Sequence, residues 1–214
     1  MTSRPDPAPL DRRRARSRAA LLDAAEALFA ARGVDGVTID DIVLGADVAK
    51  GTFYNHFEDK DTLARAVWET VRGDIEARVD AFNAEISDPA RRCARAVCVY
   101  ARFAEASPVR ARALTRMYYG PAELDASINQ GLRRDLEAGL ASGQFRAHDS
   151  AIAMVFVGGV VVSLISATLG GVPARGAACE LVTHLLIGLG VRRSIAASLA
   201  SAAAESVFAS GASS

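Results

Sequence analysis

Apolar residues recur at intervals of three and four along this chain, and no run alternates apolar and polar at every second residue. The first spacing builds one face of a helix and the second would build a half-buried strand, so the chain is predicted to be all-α. Abundant alanine, the strongest helix former, points the same way. Leu21, Leu22, Ala25, Leu28 and Phe29 make one stripe of a helix from about Asp11 to Arg32. Gly33 stands where a left-handed terminating residue belongs, with Val34 placed to meet Phe29 as in a Schellman ending.

Thr38 then reads as an N-cap, with Asp41 three residues on as a near capping box and Val37 and Ile42 spaced as a hydrophobic staple. This predicts a short helix over Ile39 to Gly45 and, after a tight turn, another over Ala49 to Phe57. Phe53 and Phe57, four apart, must point into one core. Two short helices packed on a longer one form a helix-turn-helix. Asp59 caps a long fourth helix, Lys60 to about Ile86, carrying Leu63, Val67, Val71, Ile75 and Val79. Further helices are expected at Pro89 to Glu105, Pro108 to Tyr119, Ala122 to Ala141, His148 to Leu169, Arg175 to Leu189 and Arg192 to Val207, each bounded by Gly, Pro or Ser. Residues 1 to 10 and 207 to 214 read as disordered tails.

Between Ser150 and Ala174 there is no charged residue, which is long enough for a membrane span. Interruption by Gly158, Gly159, Gly170, Gly171 and Pro173, without an aromatic belt or flanking Lys/Arg cluster, argues against one. Half of the 214 residues are apolar, enough for a sizeable core. Lys plus Arg equals Asp plus Glu at 25 each, so any basic surface must be local. Cys93, Cys98 and Cys179 follow no metal spacing and read as reduced intracellular thiols; with no secretory signal at the N-terminus, a cytoplasmic location is expected.

The stretch "VAKGTFYNHFEDKDTL" (Val48 to Leu63) carries the functional signal. With Phe53 and Phe57 inward, Lys50, Gly51, Thr52, Tyr54 and His56 fall on the outer surface or its edges. Lysine charge, threonine and tyrosine hydroxyls and the free N–H groups of a helix start suit a phosphate backbone. Glycine inside a helix costs about 0.5 to 1 kcal/mol relative to alanine, so Gly51 implies a close approach to the backbone. Lys60 opposes the dipole of the helix it begins, a cost that a phosphate would reverse. The run "RRRARSR" (Arg12 to Arg18) adds five arginines where an arm could follow the backbone or enter a minor groove.

"LLDAAEALFAARGVDGVTIDDIVLGADVAKGTFYNHFEDKDTL" resembles the DNA-binding region of the tetracycline-repressor (TetR) family over about residues 15 to 65. The resemblance implies a homodimeric all-α repressor that binds a double-stranded DNA operator and is released by a small-molecule effector. By position it makes Thr38, Lys50, Gly51, Thr52, Tyr54, Asn55 and Lys60 the DNA contacts, with base readout by Lys50, Thr52 and Asn55. It further implies that the last long helices pair across a two-fold axis, which accounts for the uncharged segment without a membrane. Two positions depart from the pattern. Asp47 stands at the usual turn glycine, and Ala49 at the usual capping Ser or Thr, where Asp47 could cap instead. Asp40, Asp41 and Asp47 place negative charge near the proposed DNA surface.

The domains expected are a disordered arm at 1 to 10, a DNA-binding domain at 11 to 60, a helical ligand-binding and dimerisation domain at 61 to 206, and a tail at 207 to 214. A pocket between helices of the larger domain would be lined by apolar and aromatic side chains, with Tyr100, Phe103, Met117, Tyr118 and Phe156 as candidates. Arg102 and Arg116, if they faced inward, would favour an anionic ligand. No Gly-x-Ser-x-Gly, Walker loop or His-Glu-x-x-His motif is present, and His56, His148 and His184 lie far apart, so no catalysis, metal or cofactor is expected. Alternative readings are a TetR-like activator or dual regulator and, from another class, a helical membrane-associated protein.

Overall fold

Capping side chains start four of the helices in this chain, as a computed structural model of residues 9–117, 129–146 and 149–209 makes visible. Among those residues there are ten helices and no strand. They are α1 (Pro9–Arg32), α2 (Ile39–Gly45), α3 (Lys50–Tyr54), α4 (Lys60–Asn83), α5 (Pro89–Ala106), α6 (Pro108–Arg116), α7 (Gln130–Ala141), α8 (Ser150–Leu169), α9 (Ala174–Gly188) and α10 (Arg193–Ala209). Asp59 accepts from Thr62 N at 2.7 Å to start α4, Asp88 from Arg91 N at 2.7 Å to start α5, and Asp149 from Ala151 N at 2.7 Å to start α8. Gly33 ends α1 with φ +73°, its N–H donating to Phe29 O at 2.9 Å.

Some elements differ from expectation. The first helix begins at Pro9, two residues before Asp11. α3 stops at Tyr54, because His56 N and Phe57 N both turn back to Phe53 O at 2.9 Å and close the chain into the next loop. α4 stops at Asn83 because Arg92 of α5 donates to the carbonyls of Asn83 (3.0 Å) and Ile86 (3.1 Å). A side chain nine residues away thus supplies the helix ending that the local sequence lacks. α7 begins at Gln130 after Asn129 and α8 at Ser150 after Asp149; residues 122–128 and His148 of their predicted ranges, and Tyr118 and Tyr119 of the helix predicted from Pro108, lie outside the described residues.

Leu21, Ala25 and Phe29 of α1 are fully buried with Ile42, Phe53 and Leu63, which gives the helix-turn-helix its core. α4 leads away from it with Val67, Val71, Ile75 and Val79 inward. α5 is the centre of the larger part, touching α4, α6, α7, α8, α9 and α10. α6 packs on α1 and so ties the two parts together.

By length and composition α8 could cross a membrane, and 28% of its most apolar window is buried inside the protein. One face, with Ala153, Met154, Val157, Leu164 and Ile165, packs inward. Ile152, Val155, Phe156, Gly159, Ser163 and Ser166 form an exposed stripe along the other. Phe156 lies over α9, where a Cβ added to Gly188 would come 2.7 Å from its ring.

Candidate nucleic-acid interface and ligand cavity

The turn between α2 and α3 rests on Asp47, whose φ of +52° is the left-handed conformation a turn needs and that aspartate tolerates better than most residues. Ala49 caps α3 with no side-chain bond, so Asp47 does not replace the missing cap. At the start of α2 the capping box is complete. Thr38 Oγ1 accepts from Asp41 N at 3.1 Å, and Asp41 Oδ2 accepts from Thr38 N at 2.9 Å. The Thr38 backbone bond, then its hydroxyl and Arg32, hold the Asp41 carboxyl below its ordinary value.

Lys50, Gly51, Tyr54 and Asn55 are exposed on one side of this unit, with Thr52 half-buried among them. The Lys50 ammonium lies 2.7 Å from Asp40 Oδ1, so the first cation of α3 is paired within the protein. A Cβ built on Gly51 meets no atom within 4 Å, so no internal crowding demands glycine there. Beneath them Phe53 and Phe57 are buried with ring centroids 6.0 Å apart, and Tyr54 stands edge-on to Phe53 at 5.3 Å. Burying rings of this size fixes the orientation of α3, since truncating a core Phe typically costs about 3 to 5 kcal/mol.

Two further contacts frame this surface. His56 Nε2 lies 2.8 Å from Ser17 Oγ, and the Ser17 hydroxyl donates to Arg14 O at 3.0 Å. Ser17 thus joins the arginine run of α1 to the end of α3. Arg13, Arg14, Ser17, Thr52, Asn55 and His56 line an open, polar recess between α1 and the end of α3. The arginine run therefore belongs to the first helix and faces the same side as Thr52 and Asn55. Arg18, from the same run, sits 5.3 Å over the Phe57 ring. Lys60 Nζ donates to Val34 O at 2.8 Å and Val37 O at 2.9 Å, pinning the α1–α2 loop to the start of α4. Its half-buried ammonium has a third N–H beyond these two bonds.

The larger part holds a cavity among α4, α5, α6, α7 and α8. Its wall is mostly apolar, with a polar cluster along α4 and α5. Arg72 Nε donates to Glu76 Oε1 at 3.1 Å and Tyr100 OH donates to the same oxygen at 2.6 Å. Arg72 lies 5.6 Å from the centroids of both the Trp68 and Tyr100 rings. Arg92 Nε meets Asp135 Oδ1 at 2.6 Å. Burial, opposed by Arg72 and reinforced by Glu76, pushes the Tyr100 phenol well above its ordinary value, so it remains an O–H donor. Burial likewise pushes the Cys93 thiol, also on the wall, up to about 12.

Of the aromatic and methionine candidates, Tyr100 lines this cavity. Phe103 is buried beneath Arg110, Met117 is buried outside the lining, and Phe156 is 41% exposed on the α8–α9 face; Tyr118 lies outside the described residues. Arg116 is exposed and Arg102 bonds Val207 O, so neither supplies a cation to the wall. Trp68, Arg72, Glu76, Arg92 and Asp135 were missed. Their signal was present in part: Arg72 and Glu76 are an i, i+4 pair flanked by the inward positions Val71, Ile75 and Val79. Among the described residues no three His, Cys, Asp or Glu side chains gather into a metal site.

Comparison with known proteins agrees with this geometry. Residues 21–67 match the family described as bacterial regulatory proteins, tetR family, and residues 88–202 match the tetracyclin repressor-like C-terminal domain. The HTH-type transcriptional repressor DhaR of Mycobacterium sp. (strain GP1) is 32% identical over 69 residues, which are 32% of this chain and 35% of DhaR. The HTH-type transcriptional regulator AcrR of Shigella flexneri is 36% identical over 55 residues, 26% of each chain. The alignments thus span about a third or less of these curated relatives. Among solved structures, RolR in complex with resorcinol is 28% identical with a TM-score of 0.70, covering 89% of this chain and 96% of that one. A TetR family transcription regulator from Marinobacter aquaeolei VT8, 16% identical with a TM-score of 0.65 over 92% of this chain and 97% of that one, shares the fold.

Proposed function

The chain belongs to the tetR family of bacterial regulatory proteins, transcriptional regulators of the helix-turn-helix type, and from that premise we propose a homodimeric cytoplasmic repressor, released from its operator when a small, largely apolar molecule enters the α4–α8 cavity. Residues 11 to 60 are the DNA-binding unit and residues 61 to 206 the effector and dimerisation unit. Lys50, Thr52 and Asn55 read bases, while Thr38, Gly51, Tyr54 and Lys60 position the backbone. The exposed stripe of α8, with α9 beside it, meets a second copy across a two-fold axis. RolR, crystallised with resorcinol, supports a small effector in a fold of this shape.

One observation carries the ligand-responsive part of this reading. Leu114 and Thr115 of α6 lie on the cavity wall. One turn earlier on the same helix, Arg110 donates to Glu26 of α1 at 3.2 Å and to Asp74 of α4 at 2.8 Å. A ligand that displaces α6 therefore moves α1, and with it the helix-turn-helix. Binding then favours a dimer whose recognition helices are wrongly spaced for successive major grooves, about 34 to 36 Å apart.

The test is fluorescence anisotropy of the purified protein on DNA from upstream of its own gene and on scrambled DNA, over a salt series, with Lys50→Ala and Tyr54→Phe alongside. Preferential binding that weakens steeply with salt and falls in both variants is expected. Equal, weak binding to both DNAs would remove this operator assignment. Tight specific binding that no cavity ligand weakens would remove the release mechanism.

A further inference from the structure

Trp68 is the single tryptophan of the chain, 3% exposed on the cavity wall, and its indole N–H has no hydrogen-bond partner among the described residues. An indole N–H only donates, and a buried donor left without an acceptor is costly and uncommon. The neighbouring carboxylates have the opposite need. Arg72 and Tyr100 both bond Oε1 of Glu76, and Arg92 bonds Oδ1 of Asp135, so that Oε2 and Oδ2 can each accept a further hydrogen bond. An occupant that matches this wall brings an acceptor for Trp68 and a donor for a carboxylate. A hydroxyl is the smallest functional group of an organic ligand that does both.

Charge and shape narrow the class further. Arg72 and Arg92 already face Glu76 and Asp135, and Asp80 lines the same wall, so an anionic ligand would place uncompensated negative charge beside three carboxylates. The rings of Trp68 and Tyr100 on an otherwise apolar wall favour an aryl body through edge or offset contacts. We propose that the ligand of this cavity is a small neutral phenol, its hydroxyl oxygen accepting from Trp68 Nε1 and its proton directed to Glu76 or Asp135. This rests on the reading of the cavity as the effector site. A phenol with an ordinary pKa of about 10 is neutral at physiological pH and is a better donor to carboxylate than an aliphatic alcohol.

Because Trp68 is both the proposed donor and the only indole, its fluorescence reports occupancy directly. The full chain, without DNA, is titrated with phenol, resorcinol, cyclohexanol, toluene and benzoate, and the affinities are repeated by calorimetry on wild type and Trp68→Phe. Phenol and resorcinol are expected to change the fluorescence saturably and to bind about tenfold more tightly than toluene. Cyclohexanol should fall below phenol, and benzoate should be weakest. Trp68→Phe keeps the ring but removes the N–H, so it should lose about fivefold to tenfold in phenol affinity and almost none for toluene. The wild-type series stands even where that variant does not fold. Toluene equal to phenol, cyclohexanol equal to phenol, benzoate the tightest, or no saturable change with either phenol at millimolar concentration would each overturn the proposal. Operator binding measured in parallel separates the two readings: phenol that binds but leaves DNA bound defeats the release mechanism and leaves the ligand class standing.

Discussion

Lys50 Nζ lies 2.7 Å from Asp40 Oδ1, joining the first residue of α3 to α2 through two exposed side chains. The hydrogen bond and then the charge of Asp40 raise the lysine above its ordinary value. A phosphate or base edge approaching Lys50 must compete with that carboxylate. Asp40→Asn is therefore expected to tighten DNA binding about threefold to tenfold at low salt, the gain fading as salt screens the surface. Anisotropy at two salt concentrations checks this; unchanged affinity would mean that Lys50 does not meet DNA.

Gly51→Ala separates folding from binding. With no atom within 4 Å of the added Cβ, the variant should gain about 0.5 to 1 kcal/mol of stability from better helix propensity. Its DNA affinity should fall, because the methyl group occupies the closest approach to the backbone. A raised Tm together with unchanged DNA binding would show that Gly51 has no role at the interface.

Lys60 holds two backbone carbonyls, so its loss should act first on folding. Lys60→Met keeps the stem but leaves Val34 O and Val37 O without their donor, and is expected to cost about 1 to 2 kcal/mol. Thermal unfolding should show a drop of about 2 to 4 °C for each kcal/mol in a chain of this size. The salt dependence of DNA binding should change by less than one phosphate contact, since only one N–H of Lys60 is left for DNA.

Burial, then Arg14 and Arg18, push His56 below its ordinary value of 6.5. In the window between that lowered value and 6.5 the unfolded chain binds a proton that the folded chain does not. The stability from a neutral His56 is thus fully present above pH 6.5 and is lost as pH falls through the folded value. Denaturant unfolding of wild type and His56→Gln between pH 7.5 and 5 should show a flatter pH dependence in the variant. Parallel slopes would exclude His56 as the titrating group.

Arg110 joins α6 to Glu26 and Asp74, and its removal should weaken communication more than either binding event. For Arg110→Ala the ratio of effector affinities with and without operator DNA is expected to fall toward one, from the roughly 5-fold to 150-fold range usual for allosteric coupling. Wild-type coupling in the variant would place the route elsewhere, along α4 alone.

The helix-turn-helix was legible in the sequence because each signal there is local. Thr38 and Asp41 cap across one turn, Gly33 ends α1 where only glycine is comfortable with positive φ, and Phe53 and Phe57 share a face at four-residue spacing. The cavity was not legible, and the reason is separation along the chain. Tyr100 was found as an aromatic in an apolar stretch, but its partners Arg72 and Glu76 come from another helix, and Arg92 beside it meets Asp135 of a third. Phe156 looked equally suitable and lies on the outer face beside Gly188, because on a helix apolar all round the sequence marks no inner side.

Periodicity and caps, which act over three or four residues, determined the helices, their order and the surface proposed to meet DNA. Tertiary packing decided what those residues touch. It paired Lys50 with Asp40, turned Lys60 onto two carbonyls, closed α4 with Arg92 and buried the Trp68 N–H without a partner among the described residues. Such contacts depend on where a side chain nine to more than fifty residues away comes to rest, and no local spacing encodes that.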